Sequence, residues 1–384
     1  MSLAFTVEAT CGAARTGRVT TARGTFATPC FMPVGTRGAV RTLSSADLEA
    51  LGAEVVLGNT YHLMLRPGAD VVAAFGGLHG FADWHGHVLT DSGGYQIFSL
   101  GPKVDDEGAT FVSTYDGSTH HLSPERAVEV QVALGSDIQM VLDVCPPLPS
   151  PPDVVRSAVE RTALWAERAR KAFLAHGRDD LNQFGIVQGG VDLDLRAESA
   201  RRTVAVGFEG YAVGGLSVGE ERSQTMPALE AAVAELPADR PRYFMGLGDP
   251  LGIVDAVARG VDMFDCVLPT RLARHGTLLT SEGRINLRNA RFATDPRPLD
   301  PACGCPVCAR WSRGYLRHLL TTAEPTAPRL LTLHNVAWTF ALVERIRAAI
   351  AAGTLDELRA EVAAVWGRDG AGRAPDGPGP GDGG

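Results

Sequence analysis

Strand-length apolar runs recur eight times in this chain, each separated from the next by a stretch with helical spacing. They cover 30–34, 54–57, 87–90, 138–142, 184–187, 211–213, 243–245 and a last run ending at Asp265. The intervening stretches predict helices at 45–51, 71–75, 124–134, 153–176, 194–206, 220–236 and 251–259. Ser123-Pro124-Glu125 supplies a cap, a first-turn proline and an acid for the third of these. This alternation predicts an α/β fold of the (β/α)8 TIM-barrel type. A doubly wound open sheet is the competing architecture, but neither G-x-G-x-x-G nor G-x-x-x-x-G-K-[ST] follows the first run. The polar residues decide between them. Asp91, Asp143, Gln188, Gly214-Gly215 and Asp265 all stand at C-terminal ends of their runs, the rim on which barrel enzymes build their sites.

The chain continues past the barrel. We expect residues 1–276 to form the barrel with an N-terminal β extension, 277–351 a zinc-binding subdomain and closing helices, and 352–366 a C-terminal helix. Residues 367–384 are glycine, proline and charge without an apolar anchor, and we expect them to be disordered. The 102–121 stretch reads as an irregular insertion, and helices are expected at 311–320 and 335–351. Cys303-Gly304-Cys305-Pro306-Val307-Cys308 packs three of the seven cysteines into six residues. Three thiolates call for a fourth ligand on tetrahedral zinc, and spacing leaves His318 or His334. A closed set of four is structural, since catalytic zinc keeps an open position.

Composition narrows the function classes. The net charge of −8 argues against a protein that coats nucleic acid indiscriminately. Between Asp265 and Leu320 the balance reverses, with nine arginines facing four acids, which leaves room for a local basic face. No apolar stretch approaches the roughly 18 residues of a membrane span. Without a basic leader or a long apolar core at Met1, and with cysteines clustered for metal, the expected compartment is the cytoplasm.

Closing a barrel would bring Asp91 and Asp265 to one mouth. Paired carboxylates there suit displacement at a sugar anomeric carbon, one attacking and the other moving protons. Asp143 can accept from ring N–H and amino groups, while Gln188 can donate to a carbonyl. Gly214-Gly215 allows close backbone approach, and Tyr95 and Met245 can sandwich a flat heterocycle. Together these suit a purine such as guanine. Two other readings are a barrel glycosidase on free sugars and a non-catalytic nucleic-acid-binding or partner subunit of the same fold. The first leaves the arginines and the cysteine knuckle without purpose, and the second should have lost the carboxylates.

Asp91-Ser92-Gly93-Gly94-Tyr95-Gln96, Gly214-Gly215-Leu216-Ser217-Val218-Gly219-Glu220, Phe264-Asp265-Cys266-Val267-Leu268-Pro269-Thr270-Arg271 and the cysteine knuckle with His334-Asn335 resemble tRNA-guanine transglycosylases of bacterial type, in order along 6–366. The resemblance implies a (β/α)8 barrel with an inserted zinc subdomain, and a pentosyltransferase of queuosine biosynthesis. It would exchange the wobble guanine of GUN-anticodon tRNAs for 7-aminomethyl-7-deazaguanine through a covalent aspartyl–RNA intermediate. It further implies Asp265 as nucleophile and Asp91 as general acid/base. Ser92, Asp143, Gln188 and Gly215 would read the base edge, and Tyr95 and Met245 would stack on it. The Leu216 carbonyl, supported by Glu220, would accept the aminomethyl group. Arg271 and Arg274, in a basic loop, would hold the anticodon-loop backbone. His334 would complete one structural zinc site with Cys303, Cys305 and Cys308, and the chain would form a homodimer. Val144 and Ser217 stand where the family pattern holds a glutamate and an alanine.

Overall fold

The computed structural model describes residues 3–367, so all but the first residue of the expected disordered tail falls outside the described residues. The eight runs form one parallel sheet: Cys30–Met32 continued by Val34–Gly35, then Val55–Gly58, His87–Thr90, Ile138–Met140, Asn182–Val187, Gly210–Val213, Arg242–Phe244 and Met263–Asp265. Pro33 has no N–H for the ladder and divides the first strand in two. The first piece pairs with the eighth strand, Asp265 beside Met32, and the second pairs with the second strand, Gly35 beside Gly58. The sheet therefore meets itself and closes as a barrel. Met32, Leu89, Met140, Ile186, Ala212, Phe244 and Phe264 have essentially no exposure. Burial on both faces is why these strands read as continuous apolar runs without alternation.

Local signals end the strands and start the helices where predicted. Ser123 Oγ accepts from Arg126 N at the head of Pro124–Leu134, and Gly135 closes that helix in the left-handed region at φ 68°. Pro152–Ala175, Leu193–Val206 capped by Asp192, Arg222–Val233 and Pro250–Val257 capped by Asp249 wrap the outside. An antiparallel sheet of Ala4–Cys11, Ala14–Thr21 and Gly24–Thr28 covers the barrel floor. Its anchor is Arg15, whose guanidinium donates to both oxygens of Asp262, at 2.9 and 2.7 Å, beneath the eighth strand. Breaking such a buried pair from one side costs about 3–5 kcal/mol.

Two expectations change. The 102–121 stretch is a three-stranded antiparallel sheet, Lys103–Val104, Ala109–Val112 and Thr119–Leu122, with Phe111 and Leu122 packed against Trp165. Strands of two to four residues carry too little periodicity to be seen in sequence. The predicted 335–351 helix begins nine residues earlier, spanning Thr326–Ala352. Pro328 falls in its first turn, where the missing N–H costs nothing. The N-terminal half of this helix, from Leu330 to Val336, packs with Leu278, Ile285, Leu299 and Leu316 in the inserted segment. Its C-terminal half, Leu342 to Ile350, packs into the barrel core.

Candidate active site and metal centre

Asp91 leaves the third strand into a nest of donors on the neighbouring loop. Its Oδ2 accepts from Asn59 Nδ2 at 2.5 Å, and its Oδ1 from the N–H groups of Thr60 at 2.8 Å and Gly93 at 3.2 Å. Asn59 and Thr60 follow the second strand, whose ladder to the third sets Gly58 beside Thr90. Burial pushes the Asp91 carboxyl up to about 6 against these donors, and the Asp265 charge adds to the rise.

Asp143 leaves the fourth strand and accepts from Gln188 Nε2 at 2.6 Å and Ser92 Oγ at 3.4 Å. Burial also pushes it up to about 6, with a contribution from Asp91. Gln188 is held from behind, its N–H donating to Ser199 Oγ, while its side-chain Oε1 is buried without a partner among the described residues. A Cβ added to Gly215 would lie 2.1 Å from that oxygen, and Gly215 has φ +64°. Glycine is required there on both counts. Beyond it, Glu220 accepts from the N–H groups of Ser217 and Val218 at 2.5 and 3.0 Å and from Thr225 Oγ1 at 2.8 Å. The carboxylate thus fixes the chain just after the buried Leu216.

Asp265 is half-buried at the end of the eighth strand. Its Oδ1 accepts from Tyr243 OH at 2.5 Å and Gly246 N at 2.8 Å, and its Oδ2 takes no hydrogen bond from the described residues. Burial raises its pKa, and the two donors hold it down. The adjacent Cys266 and the nearby Cys145 are each pushed up to about 12 by burial, so both are thiols at neutral pH. Met245 lies close enough that a Cβ on Gly214 would meet its Sδ at 3.5 Å. Tyr95 is 41% exposed at the rim, on the short helix Gly94–Phe98. Arg271 and Arg274 lie on a helix, Leu268–Arg274, rather than on the expected loop, because Pro269 starts a helical turn immediately after the strand.

The thiols of Cys303, Cys305 and Cys308 and a ring nitrogen of His334 all lie within 4.8 Å of one another. His334 Nε2 donates to Leu279 O at 2.9 Å, which leaves Nδ1 facing Cys305 Sγ at 3.5 Å and Cys308 Sγ at 3.3 Å. An imidazole anchored by one nitrogen and presented by the other is the usual form of a metal-ligating histidine. The donor set fits a metal ion held by four protein ligands. His334 sits in the third turn of the long helix and not at its start, and His318, on Arg313–Thr321, is outside the cluster.

Comparison with known proteins agrees with this geometry. The family model described as queuine tRNA-ribosyltransferase matches residues 10–368. The chain is 50% identical to the queuine tRNA-ribosyltransferase of Gluconacetobacter diazotrophicus over 370 residues, covering 95% of each chain. It is 52% identical to that of Cereibacter sphaeroides over 355 residues, covering 92% of this chain and 94% of the relative. The chain belongs to the queuine tRNA-ribosyltransferase family.

Sequence reading of this queuine tRNA-ribosyltransferase family member missed several residues that shape the mouth. Asn59 and Thr60 were visible as a strand end but had no assigned role, and Tyr243 reads as a core strand residue. Arg196 is the least legible. On a helix it reads as a surface cation, yet it is fully buried, donating to the carbonyls of Val187 at 3.1 Å, Gly190 at 2.7 Å, Gly214 at 2.7 Å and Gly215 at 3.0 Å. It ties the loop after the fifth strand to the loop after the sixth, the two that carry Gln188 and Gly215.

Proposed function

We propose that the barrel mouth exchanges the wobble guanine of GUN-anticodon tRNAs for 7-aminomethyl-7-deazaguanine, with no cut in the strand. The observation that carries this is the unequal setting of two carboxylates in one mouth. Asp265 has one oxygen held by Tyr243 and Gly246 and the other open, which suits a nucleophile. Asp91 is enclosed by donors and pushed up to about 6, which suits proton transfer near neutrality.

In this reading an Asp265 oxygen bonds to C1′ as the C1′–N9 bond breaks, and the electron pair departs with guanine, which takes a proton at N9 from Asp91. The incoming base returns its N9 proton to Asp91, and its N9 displaces the Asp265 carboxylate from C1′. Asp143, with Ser92, accepts from the base N–H groups. Gln188 donates to its carbonyl, and Gly215 allows the close approach. Tyr95 and Met245 stack on the ring, and the Leu216 carbonyl, steadied by Glu220, accepts from the aminomethyl group. Arg271 and Arg274 hold phosphates of the anticodon loop.

We further propose that the metal is one structural zinc per chain, bound by Cys303, Cys305, Cys308 and His334, because thiolates with one imidazole favour that ion. The setting is cytoplasmic; among the described residues no helix is long and apolar enough to cross a membrane. A homodimer meeting near the zinc subdomain is proposed from the family resemblance. Incubation with unmodified tRNA and labelled guanine or 7-aminomethyl-7-deazaguanine, followed by mass analysis of the nucleosides, tests the reaction. Absence of label in intact tRNA would refute it.

A further inference from the structure

A second cationic feature lies on the rim, away from Arg271 and Arg274. Arg37 follows the first barrel strand, and Arg66 follows the helix Thr60–Leu65 whose first N–H binds Asp91. Both guanidiniums pack on one ring: Tyr115, from the small inserted sheet, has Arg37 at 5.4 Å and Arg66 at 5.0 Å from its centroid. Its hydroxyl is fixed by His62 Nδ1 at 2.8 Å, and its neighbour Thr114 by Tyr61 OH at 3.1 Å. The ring is therefore a fixed post that gathers two exposed cations.

Like charges repel, so a protein that draws two together commonly supplies an acid between them. Among the described residues neither guanidinium forms a salt bridge. The adjacent acid, Asp116, is engaged by the N–H and hydroxyl of Ser118 at 3.1 and 2.7 Å. His62 is held toward its neutral form by burial and by Arg37. The ring faces are covered by the cations, so the patch presents charge and hydrogen-bond donors and no platform for a base. Its place in the barrel matters equally. The first strand lies between the eighth and the second, so Arg37 and Arg66 continue the arc begun by Arg271 and Arg274 around one side of the mouth.

We propose that Arg37 and Arg66, mounted on Tyr115, form a second phosphate grip that holds the RNA backbone farther along the same arc of the rim as Arg271 and Arg274. The inference rests on the reading of tRNA as substrate. It spreads the backbone contacts along the rim from the eighth strand to the second, which would lead the strand along that edge of the mouth beside Asp91 and Asp265.

The test uses the full-length protein and unmodified tRNA, with the dissociation constant measured between 50 and 200 mM salt. Each phosphate contact to single-stranded nucleic acid contributes about 0.7 to the slope of log affinity against log salt. The double variant Arg37→Ala/Arg66→Ala should therefore lose about 1.4 of slope, making the affinity fall across this range about sevenfold smaller than in the wild type. Arg37→Lys/Arg66→Lys keeps the charge and should keep most of the slope, which separates charge from folding damage. An unchanged slope in the alanine variant, or an equal loss in the lysine variant, would overturn the grip. If wild-type protein binds tRNA but exchanges no base, the functional reading fails while the slope still decides the grip.

Discussion

The metal centre and the barrel mouth gather their residues in opposite ways. Three of the four metal ligands come from six consecutive residues, and only His334 arrives from elsewhere. The mouth draws Asp91, Asp143, Gln188, Gly215 and Asp265 from the ends of five different strands. A knuckle of the first kind can form locally once metal is present, whereas the mouth exists only when the whole barrel has closed. The two also differ in what supports them. His334 needs one carbonyl, that of Leu279, to aim it. In the mouth every carboxylate leans on a neighbouring loop: Asp91 on Asn59 and Thr60, Asp143 on Gln188, Asp265 on Tyr243 and Gly246.

This contrast can be broken by experiment. The largest effect should come from Asp265→Asn, which removes the proposed nucleophile and should lower guanine exchange by about 10⁴-fold or more while tRNA binding persists. Exchange within tenfold of wild type would remove Asp265 from its role. Next, Cys303→Ser should lower zinc below one per chain and reduce thermal stability by several degrees or more, measured by metal analysis and calorimetry. A metal-free variant with unchanged melting would show that the knuckle holds nothing structural.

Tyr243→Phe removes one charge-assisted hydrogen bond from Asp265, which should slow exchange roughly tenfold to a hundredfold. That bond holds the Asp265 pKa down against burial. Its loss should raise the pKa and move the acid limb of the rate profile to higher pH; a limb that stays in place would disconnect the pair. The smallest effect is intrinsic. In the proposed reaction Asp91 must be ionised to accept the proton of the incoming base, and burial pushes its carboxyl up to about 6. With the covalent intermediate formed beforehand, so that only this second half-reaction is read, incorporation of the base should be flat above that value and fall about tenfold per unit below it. A profile level down to pH 5 would assign proton transfer elsewhere.

The barrel was legible because parallel strands buried on both faces leave continuous apolar runs, and because the rim residues follow directly after them. The supports were harder to read. Arg196 carries a charge on a helix, so pattern places it outside, and only the four carbonyls of two glycine-bearing loops explain its burial. Tyr243 looks like any core aromatic until its hydroxyl is seen against Asp265. Spacing left His318 and His334 open, the family resemblance pointed to His334, and that residue falls in the third turn of its helix because the helix starts at Thr326, with Pro328 in its first turn. The small 103–122 sheet, which supplies Tyr115, had too few residues per strand to show a period.

The helix Thr326–Ala352 belongs to both hydrophobic cores, its first half to the inserted segment and its second to the barrel. A helix shared in this way couples the stabilities of the two cores, because packing lost along one half removes support from the other. Metal loss at His334 should therefore weaken the barrel as well as the inserted segment, and excising that segment should strip the barrel of half the helix that packs against it.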